Sequence, residues 1–179
     1  MSIGVRNCRV GALFVVAMLA LGLVPCQSAS ASPGAAGLEG GAGSADHCVI
    51  VLDKLRPGEQ ESRIVSRKCA PRVQDLHIQS ETLLMTWYQD AGYGGKSTTL
   101  IGYGGPCDTA GYGFRDTGAG DSWWRDNISS FMVWNNCLNV RGHELLNYGG
   151  KWAYWKYNQR YVGDYLNDRI RSIEIWASY

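Results

Sequence analysis

The sequence repeats two phrases, in the same order, within its C-terminal half. The first phrase, YQDAGYGGK at residues 88–96, returns as HELLNYGGK at residues 143–151. The second, DNISSFMVW at residues 126–134, returns as DRIRSIEIW at residues 168–176. Because the phrases recur as an ordered pair, we interpret them as an internal duplication, which predicts two successive copies of one four-stranded unit.

The N-terminus has the features of a secretory signal peptide. Arg6 and Arg9 precede an apolar run over residues 10–24, and small residues then lead to an A-x-A pattern that ends at Ala31. The apolar run is short for a membrane span. We therefore predict a signal peptide over residues 1–31, and a secreted, extracellular protein without a membrane as partner.

The remainder has the size of one compact domain. Residues 32–45 are rich in Gly and Ala and are interpreted as a flexible leader. Residues 46–79 are assigned to an N-terminal hairpin and connector, and residues 80–179 to the main domain. The chain has 17 basic and 16 acidic residues, and the signal peptide removes two arginines. With near-neutral charge and no basic stripe, nucleic acid is not expected as a partner.

Four cysteines follow the signal peptide: Cys48, Cys69, Cys107 and Cys137. An even number in an exported chain, with no C-x-x-C pair, favours disulfide bonds over metal ligation. Four cysteines allow three connectivities. We favour Cys48–Cys69 and Cys107–Cys137, because each pair brackets a segment that is expected to fold back on itself.

The residue pattern predicts an all-β fold. Residues 48–52 and 62–69 flank a turn at residues 56–59 and are expected to form a hairpin, followed by a connector or one short helix. Further strands, rich in β-branched and aromatic residues, are predicted at 83–88, 97–103, 129–134, 152–157 and 171–176. Glycines separate them, and helical periodicity is not sustained. The simplest architecture is a two-sheet sandwich.

The repeated phrases have a structural explanation. Two aromatics five residues apart can pack across a tightly folded hairpin, and a glycine two residues later accepts a positive φ. A serine before each following strand can satisfy backbone groups that the hairpin leaves open. Ile128 and Ile170 are expected in the core. The motif residues with this structural role are Tyr88, Tyr93, Gly95, Ser130, Tyr148, Gly150 and Ser172.

An aromatic-x4-aromatic-x-Gly hairpin followed by an N/D-N/D-x-x-S/T-S segment resembles the βγ-crystallin Greek key motif, two copies of which make one domain. The resemblance covers about residues 88–176. It implies a βγ-crystallin-like two-sheet sandwich of two Greek key motifs, with the N-terminal hairpin outside the shared part. The secreted context and the cysteines are similar to small secreted bacterial members, some of them grouped with metalloproteinase inhibitors.

The sequence departs from this motif at three positions. His143 stands where the second hairpin should begin with an aromatic residue, Arg125 replaces the first Asn/Asp of the first copy, and Arg171 stands where a Ser or Thr belongs. The second aromatic lies 33 residues before the acidic position in the first copy and 20 residues before it in the second. The first copy therefore carries an insertion, which we place in the Gly-rich loop that contains Cys107.

The resemblance also implies calcium sites that exchange ligands between the copies. One site would use the Ser129 hydroxyl, the Asn127 carbonyl and the Asp168 carboxylate. With one carboxylate, its Kd for calcium is expected to be ~10⁻⁴–10⁻³ M. The alternative is that the serine loops only brace the hairpins and hold no ion.

The mirror site is degenerate. It would use Asp126, the Arg169 carbonyl and Arg171, and the guanidinium stands where a hydroxyl oxygen is needed. Arg171 is instead expected to pair with Asp126 as a built-in replacement for the metal. The sequence thus predicts at most one calcium ion.

Three other function classes have candidate residues in the sequence. The candidate general bases and acids are His47, His77, His143, Asp116, Asp121 and Asp126, but the sequence contains no G-x-S-x-G, H-E-x-x-H or P-loop string, so no enzyme is expected. Carbohydrate binding is an alternative if Tyr112, Trp123 and Trp124 are exposed. Protease inhibition is another, with residues 104–120, tied at Cys107, as the inhibitory loop.

Overall fold

The computed structural model describes residues 46–77 and 82–178, and the predicted signal peptide and leader lie outside this part. Its strands are β1 (His47–Leu52), β2 (Ile64–Ala70), β3 (Thr82–Asp90), β4 (Gly94–Gly102), β5 (Tyr112–Phe114), β6 (Ser130–Val133), β7 (Asn139–His143), β8 (Trp152–Lys156) and β9 (Ser172–Trp176). Three short 3₁₀ helices span Val73–Leu76, Ser122–Asp126 and Leu146–Tyr148. Within the described residues, no helix has the length and apolar character needed to span a membrane.

The strands form two sheets, which confirms the predicted all-β sandwich. The first sheet has the order β2-β1-β4-β3-β6, and the second has the order β5-β9-β7-β8. The N-terminal hairpin β1–β2 is closed by the disulfide Cys48–Cys69, whose residues lie opposite each other in the antiparallel register. This hairpin extends the first sheet, because β1 pairs in parallel with β4.

In each copy, the segment that follows the folded hairpin and its next strand pairs with the other copy's sheet. In the first copy this third segment is β5, and in the second it contains Gln159. Strands β3, β4 and β6 of the first copy lie in the first sheet, but β5 lies beside β9 in the second sheet. In return, Gln159 of the second copy pairs with Phe131 of β6. The strands of the first copy are therefore divided between the two sheets, which the sequence pattern did not indicate. Exchange lets both copies bury their apolar residues in one shared core.

The core lies between the two sheets and is built from both copies. Ile128 and Ile170, the equivalent residues of the two serine loops, are 0% and 1% exposed. The Trp87 ring lies 5.4 Å from the Phe114 ring across the exchanged strand. Each fully buried side chain of this size contributes about 1.5–3 kcal/mol. A smaller cluster under the first 3₁₀ helix contains Val49, Ala70, Leu76 and Ile101.

The first folded hairpin is closed by a buried serine. The Ser130 hydroxyl donates a hydrogen bond to the Asp90 carbonyl (2.6 Å) and accepts one from the Tyr93 amide (3.1 Å). Tyr93 has a φ of 71°, and its ring lies 5.7 Å from the Tyr88 ring. Gly95 also has a positive φ, and a β-carbon there would lie 2.7 Å from the Asp90 carboxylate. The turn therefore requires glycine at this position.

The second folded hairpin repeats this geometry. The Ser172 hydroxyl donates to the Leu145 carbonyl (2.7 Å) and accepts from the Tyr148 amide (2.9 Å). His143 takes the place of the missing aromatic, with its ring 5.5 Å from the Tyr148 ring. Gly150 has a φ of 73°, equivalent to that of Gly95. Imidazole thus keeps the ring contact although it departs from the motif.

A third contact is repeated in the two copies, and the sequence did not predict it. The Arg160 guanidinium lies over the Tyr93 ring (5.5 Å), and the Arg115 guanidinium lies over the Tyr148 ring (5.8 Å). Each arginine comes from the segment that the other copy contributes. The sequence contains a repeated pattern at these positions, since each arginine is followed by a glycine three residues later. These cation–π contacts attach the exchanged segments to the hairpins.

The second disulfide, Cys107–Cys137, anchors the insertion of the first copy. Tyr93 and Arg115 are 22 residues apart, whereas the equivalent Tyr148 and Arg160 are 12 apart. Most of the extra length therefore lies in the Gly-rich loop that contains Cys107, as predicted. Both disulfides follow the pairing that we favoured.

We predict that Ser130→Ala and Ser172→Ala each destabilise the protein by about 1–3 kcal/mol, because each leaves a buried amide and a carbonyl without a partner. Urea denaturation measures the loss. Ser66→Ala, at an exposed position on β2, is the matched control and should change stability by less than about 0.5 kcal/mol. Equal effects at the three positions would contradict the proposed role of the two motif serines.

Candidate functional site

The two serine loops meet across the boundary between the copies. The Ser129 hydroxyl donates a hydrogen bond to Oδ1 of Asp168 (3.0 Å). The Ser129 amide donates to the Tyr88 carbonyl (3.0 Å), and the Asp168 amide donates to the Ile128 carbonyl (3.3 Å). The structure therefore brings together the hydroxyl and the carboxylate that the sequence assigned to one calcium site, and it fixes both through the backbone.

The third predicted ligand, the Asn127 carbonyl, comes from the residue that follows the 3₁₀ helix Ser122–Asp126. The Asn127 side-chain amide donates to the Trp123 carbonyl (2.6 Å), which holds the residue against that helix. The second carboxylate oxygen of Asp168 accepts a hydrogen bond from the Asn167 side chain (2.7 Å). The set consists of hard oxygen atoms, which suits calcium.

The charge of this set is low. In the part of the chain that the structure describes, no group of three or more His, Cys, Asp or Glu side chains could hold a metal ion. Calcium prefers six to eight oxygens, so main-chain carbonyls and water would have to complete a shell around Asp168. The donor set fits a weak calcium site and does not fit a tight one.

The mirror position is filled by an ion pair. Nε and Nη2 of Arg171 donate to the two carboxylate oxygens of Asp126 at 2.8 and 2.9 Å. The Arg171 amide donates to the His143 carbonyl (2.8 Å), just as the Ser129 amide donates to the Tyr88 carbonyl. Arg171 is thus the structural counterpart of Ser129.

The guanidinium supplies the positive charge that an ion would bring. Its hydrogen bonds to Asp126, with their Coulomb attraction, raise the pKa of Arg171 above its ordinary value. The pair borders an open groove of about 270 Å³, which Glu144, Leu145 and Arg169 also line. Both partners are partly exposed, at 39% and 46%, so the pair contributes only about 0.2–1 kcal/mol.

The histidines considered as bases do not converge. Nδ1 of His47 lies 2.8 Å from the Ser97 hydroxyl on the neighbouring strand β4. His77 ends the 3₁₀ helix Val73–Leu76 with a φ of 46°. His143 is buried in the second sheet, with Nε2 3.0 Å from the Glu174 carboxylate. The three histidines therefore make separate contacts and do not form a shared site.

The aspartates considered as acids have separate partners. Asp116 binds Arg125 through two hydrogen bonds of 3.0 and 2.8 Å, and this contact lowers the pKa of the carboxyl. Asp121 caps the 3₁₀ helix Ser122–Asp126. Arg125, which departs from the motif, thus ties the 3₁₀ helix Ser122–Asp126 to the segment that follows β5, and both aspartates have structural contacts.

Of the three aromatics whose exposure carbohydrate binding would require, two are buried and Trp123 is partly buried. Trp124 and Tyr112 are 3% and 2% exposed, and the Trp123 ring packs edge-on against Trp124 at 4.9 Å. The prediction failed because the 3₁₀ helix Ser122–Asp126 turns both indoles back toward the core. Rings with substantial exposure lie elsewhere: Tyr103, Trp152, Tyr154, Tyr157, Tyr161 and Tyr165.

The segment 104–120 is not one free loop, as its assignment to inhibition assumed. It contains β5, whose Tyr112 is buried and donates its hydroxyl proton to the Gly105 carbonyl (2.6 Å). Burial raises the pKa of Tyr112 to about 12. The exposed residues on the N-terminal side of β5 therefore lie within 103–110, and Gly120 is exposed on its C-terminal side.

Comparison with known proteins gives structural neighbours only. No protein-family model matches the sequence, and no curated protein is significantly similar to it. A βγ-crystallin domain from Clostridium beijerinckii aligns with 22% identity and a TM-score of 0.43, covering 53% of this chain and 99% of that one. A βγ-crystallin domain from Flavobacterium johnsoniae aligns with 21% identity and a TM-score of 0.41, covering 53% and 96%. A clostrillin double mutant in complex with nickel aligns with 21% identity and a TM-score of 0.43, covering 52% and 98%.

The fold assignment follows from the molecule's own geometry. Two folded hairpins, two serine loops and two sheets are related copy by copy, with equivalent hydrogen bonds at Ser130 and Ser172. These are the paired motifs on which the sequence resemblance rests. The described part of the chain from residue 82 to residue 178 has a βγ-crystallin-like fold.

Proposed function

We propose that this protein is a secreted, non-enzymatic binding module that holds one calcium ion weakly between its two copies. The ligands are the Ser129 hydroxyl, the Asn127 carbonyl and the Asp168 carboxylate. The observation that carries the proposal is the 3.0 Å contact between Ser129 and Asp168, which come from different copies. An ion there would tie the two loops together across the shared core.

The low charge of this site sets the calcium concentration that it needs. One carboxylate gives an expected Kd of ~10⁻⁴–10⁻³ M, the range of extracellular calcium modules. At about 5 mM calcium, mass action would then stabilise the fold by about 1–2 kcal/mol. This suits an exported protein with two disulfides, since disulfides persist outside the cell.

We predict that calorimetric titration of the wild-type protein with calcium shows one binding event, and that Ser129→Arg abolishes it. The arginine should pair with Asp168 as Arg171 pairs with Asp126. Ser66→Arg adds the same charge at an exposed position on β2 and should leave binding unchanged. Equal binding by Ser129→Arg, or no heat at millimolar calcium in the wild type, would contradict the site.

The reverse substitution tests the mirror position. Arg171→Ser removes the cation and restores a hydroxyl beside Asp126, so the calcium stoichiometry should rise from one to two. Without calcium, the variant should lose about 0.2–1 kcal/mol, the contribution of an exposed ion pair. A stoichiometry that remains at one would show that Arg171 is not what prevents the second site from binding.

Protease inhibition is the second candidate, and the loop at residues 103–111 favours it. Tyr103 is 68% exposed, while its amide donates to the Leu52 carbonyl (2.8 Å). The disulfide Cys107–Cys137 and a hydrogen bond from Asn136 to the Cys107 carbonyl (3.2 Å) hold the loop at its base. An exposed residue on an anchored loop is the form that a preorganised inhibitor requires.

Assay against secreted metalloproteases measures this second activity. We expect Tyr103→Ala to weaken any inhibition by roughly tenfold or more, since it removes the most exposed ring of the loop. Tyr157→Ala, at a similarly exposed position outside the loop, is the control. Unchanged inhibition by the Tyr103→Ala variant would show that this loop is not the inhibitory loop.

A further inference from the structure

The outer face of the second sheet carries a row of exposed rings. Along β8, Ala153 and Trp155 pack toward the core, whereas Trp152 and Tyr154 point outward with 57% and 47% exposure. Trp155 meets Phe131 of the core at 5.5 Å. The inward residues therefore account for the packing of β8, and the outward rings are not needed for it.

A cation orders these rings. The Arg141 guanidinium lies 5.3 Å from the ring centre of Trp152 and 5.3 Å from that of the partly exposed Trp176. The Tyr154 ring lies 6.0 Å from the Trp176 ring. We name Trp152, Tyr154 and Trp176 the aromatic platform. Stacking on Arg141 holds the two indoles in fixed positions before any ligand arrives.

Polar groups lie among the rings. Glu174, opposite Arg141 in the register of β7 and β9, has Oε2 3.5 Å from Nη1 of Arg141. Beside the pair runs an open groove of about 260 Å³, lined in part by Leu55, Thr109 and Trp176. Among the described residues, Nε of Arg141 is buried and has no hydrogen-bond partner. The surface therefore combines flat apolar rings with a charged donor and a charged acceptor.

We infer that the aromatic platform and its groove bind a neutral oligosaccharide. A sugar ring presents an apolar face that can lie on an indole, and hydroxyls at its rim that both donate and accept hydrogen bonds. Such a hydroxyl can donate to Glu174 while another accepts from Arg141. Because these two charges offset each other, the site favours an uncharged ligand.

The same pair disfavours a protein partner. A protein surface placed over the aromatic platform would strip water from Arg141 and Glu174, and charged residues are depleted at the centres of protein interfaces. A saccharide replaces that water with its own hydroxyls. This inference does not depend on the calcium site, which lies at the serine loops. The aromatic platform contains none of the three aromatics that the sequence singled out for sugars, although the buried Tyr112 also lines the groove.

Tryptophan fluorescence and calorimetry of the full secreted protein test the inference, with cellohexaose, chitohexaose and mannohexaose as probes and calcium both present and removed. We expect saturable binding of at least one probe. Trp152→Ala should weaken it by roughly tenfold or more, which corresponds to about 1.4 kcal/mol per tenfold. Glu174→Gln should weaken it too, while Tyr161→Ala, which removes an exposed ring that lies outside the platform and its groove and is hydrogen-bonded to Asp164, should not.

Trp152 is exposed, so its alanine variant should keep the wild-type melting temperature, and a loss of binding then reports on the ligand surface. Three outcomes would overturn the inference. These are no saturable change with any probe at millimolar concentration, binding that Trp152→Ala leaves intact, or a self-associated wild type that Trp152→Ala converts to monomer. The last would identify the platform as an interface between copies of this chain.

Discussion

Two buried hydroxyl groups hold the arrangement on which the rest of this structure depends. Ser130 and Ser172 each accept a hydrogen bond from a hairpin amide and donate one to a hairpin carbonyl, so that each hairpin folds back over its own sheet. This bend of each hairpin brings its two aromatic rings together and fixes the position of the residue that precedes each serine. Because backbone groups in such a bend have no ladder partner, removing the hydroxyl leaves them unsatisfied.

The residues before those serines show how one geometry can support two chemistries. Ser129 and Arg171 make equivalent main-chain hydrogen bonds, to the carbonyls of Tyr88 and His143. Each side chain reaches an aspartate of the other copy, Asp168 or Asp126. A hydroxyl leaves room for a shared cation, whereas a guanidinium is itself the cation. The duplication thus explains the pairing of the two sites, and one substitution explains their difference.

The sequence was informative wherever a local pattern carried the information. The hairpin β1–β2, the motif serines Ser130 and Ser172, and both disulfides follow from spacing and residue type. The parallel pairing of β1 with β4 could not be predicted, because parallel pairing joins distant segments and leaves no turn signal. Strand β5, with three residues, is too short to show alternation.

The exchange of third segments between the copies also could not be predicted from local sequence patterns. An arginine followed three residues later by a glycine recurs at Arg115 and Arg160. Its role becomes clear only in the structure, where each arginine lies over the tyrosine ring of the other copy's hairpin. The exposed rings were misjudged for a similar reason. The 3₁₀ helix Ser122–Asp126 buries Trp124 and partly buries Trp123, while alternation along β8 exposes Trp152, and burial of this kind depends on tertiary packing.

Calcium titration followed in amide NMR spectra tests the central claim most directly, because it locates the ion residue by residue. We predict saturable shifts at Asn127, Ser129 and Asp168, with no comparable change at Asp126, Arg169 and Arg171. Shifts centred on the second set, or shifts spread evenly over both loops, would contradict the claim that one copy keeps the ion site and the other replaces it with an arginine.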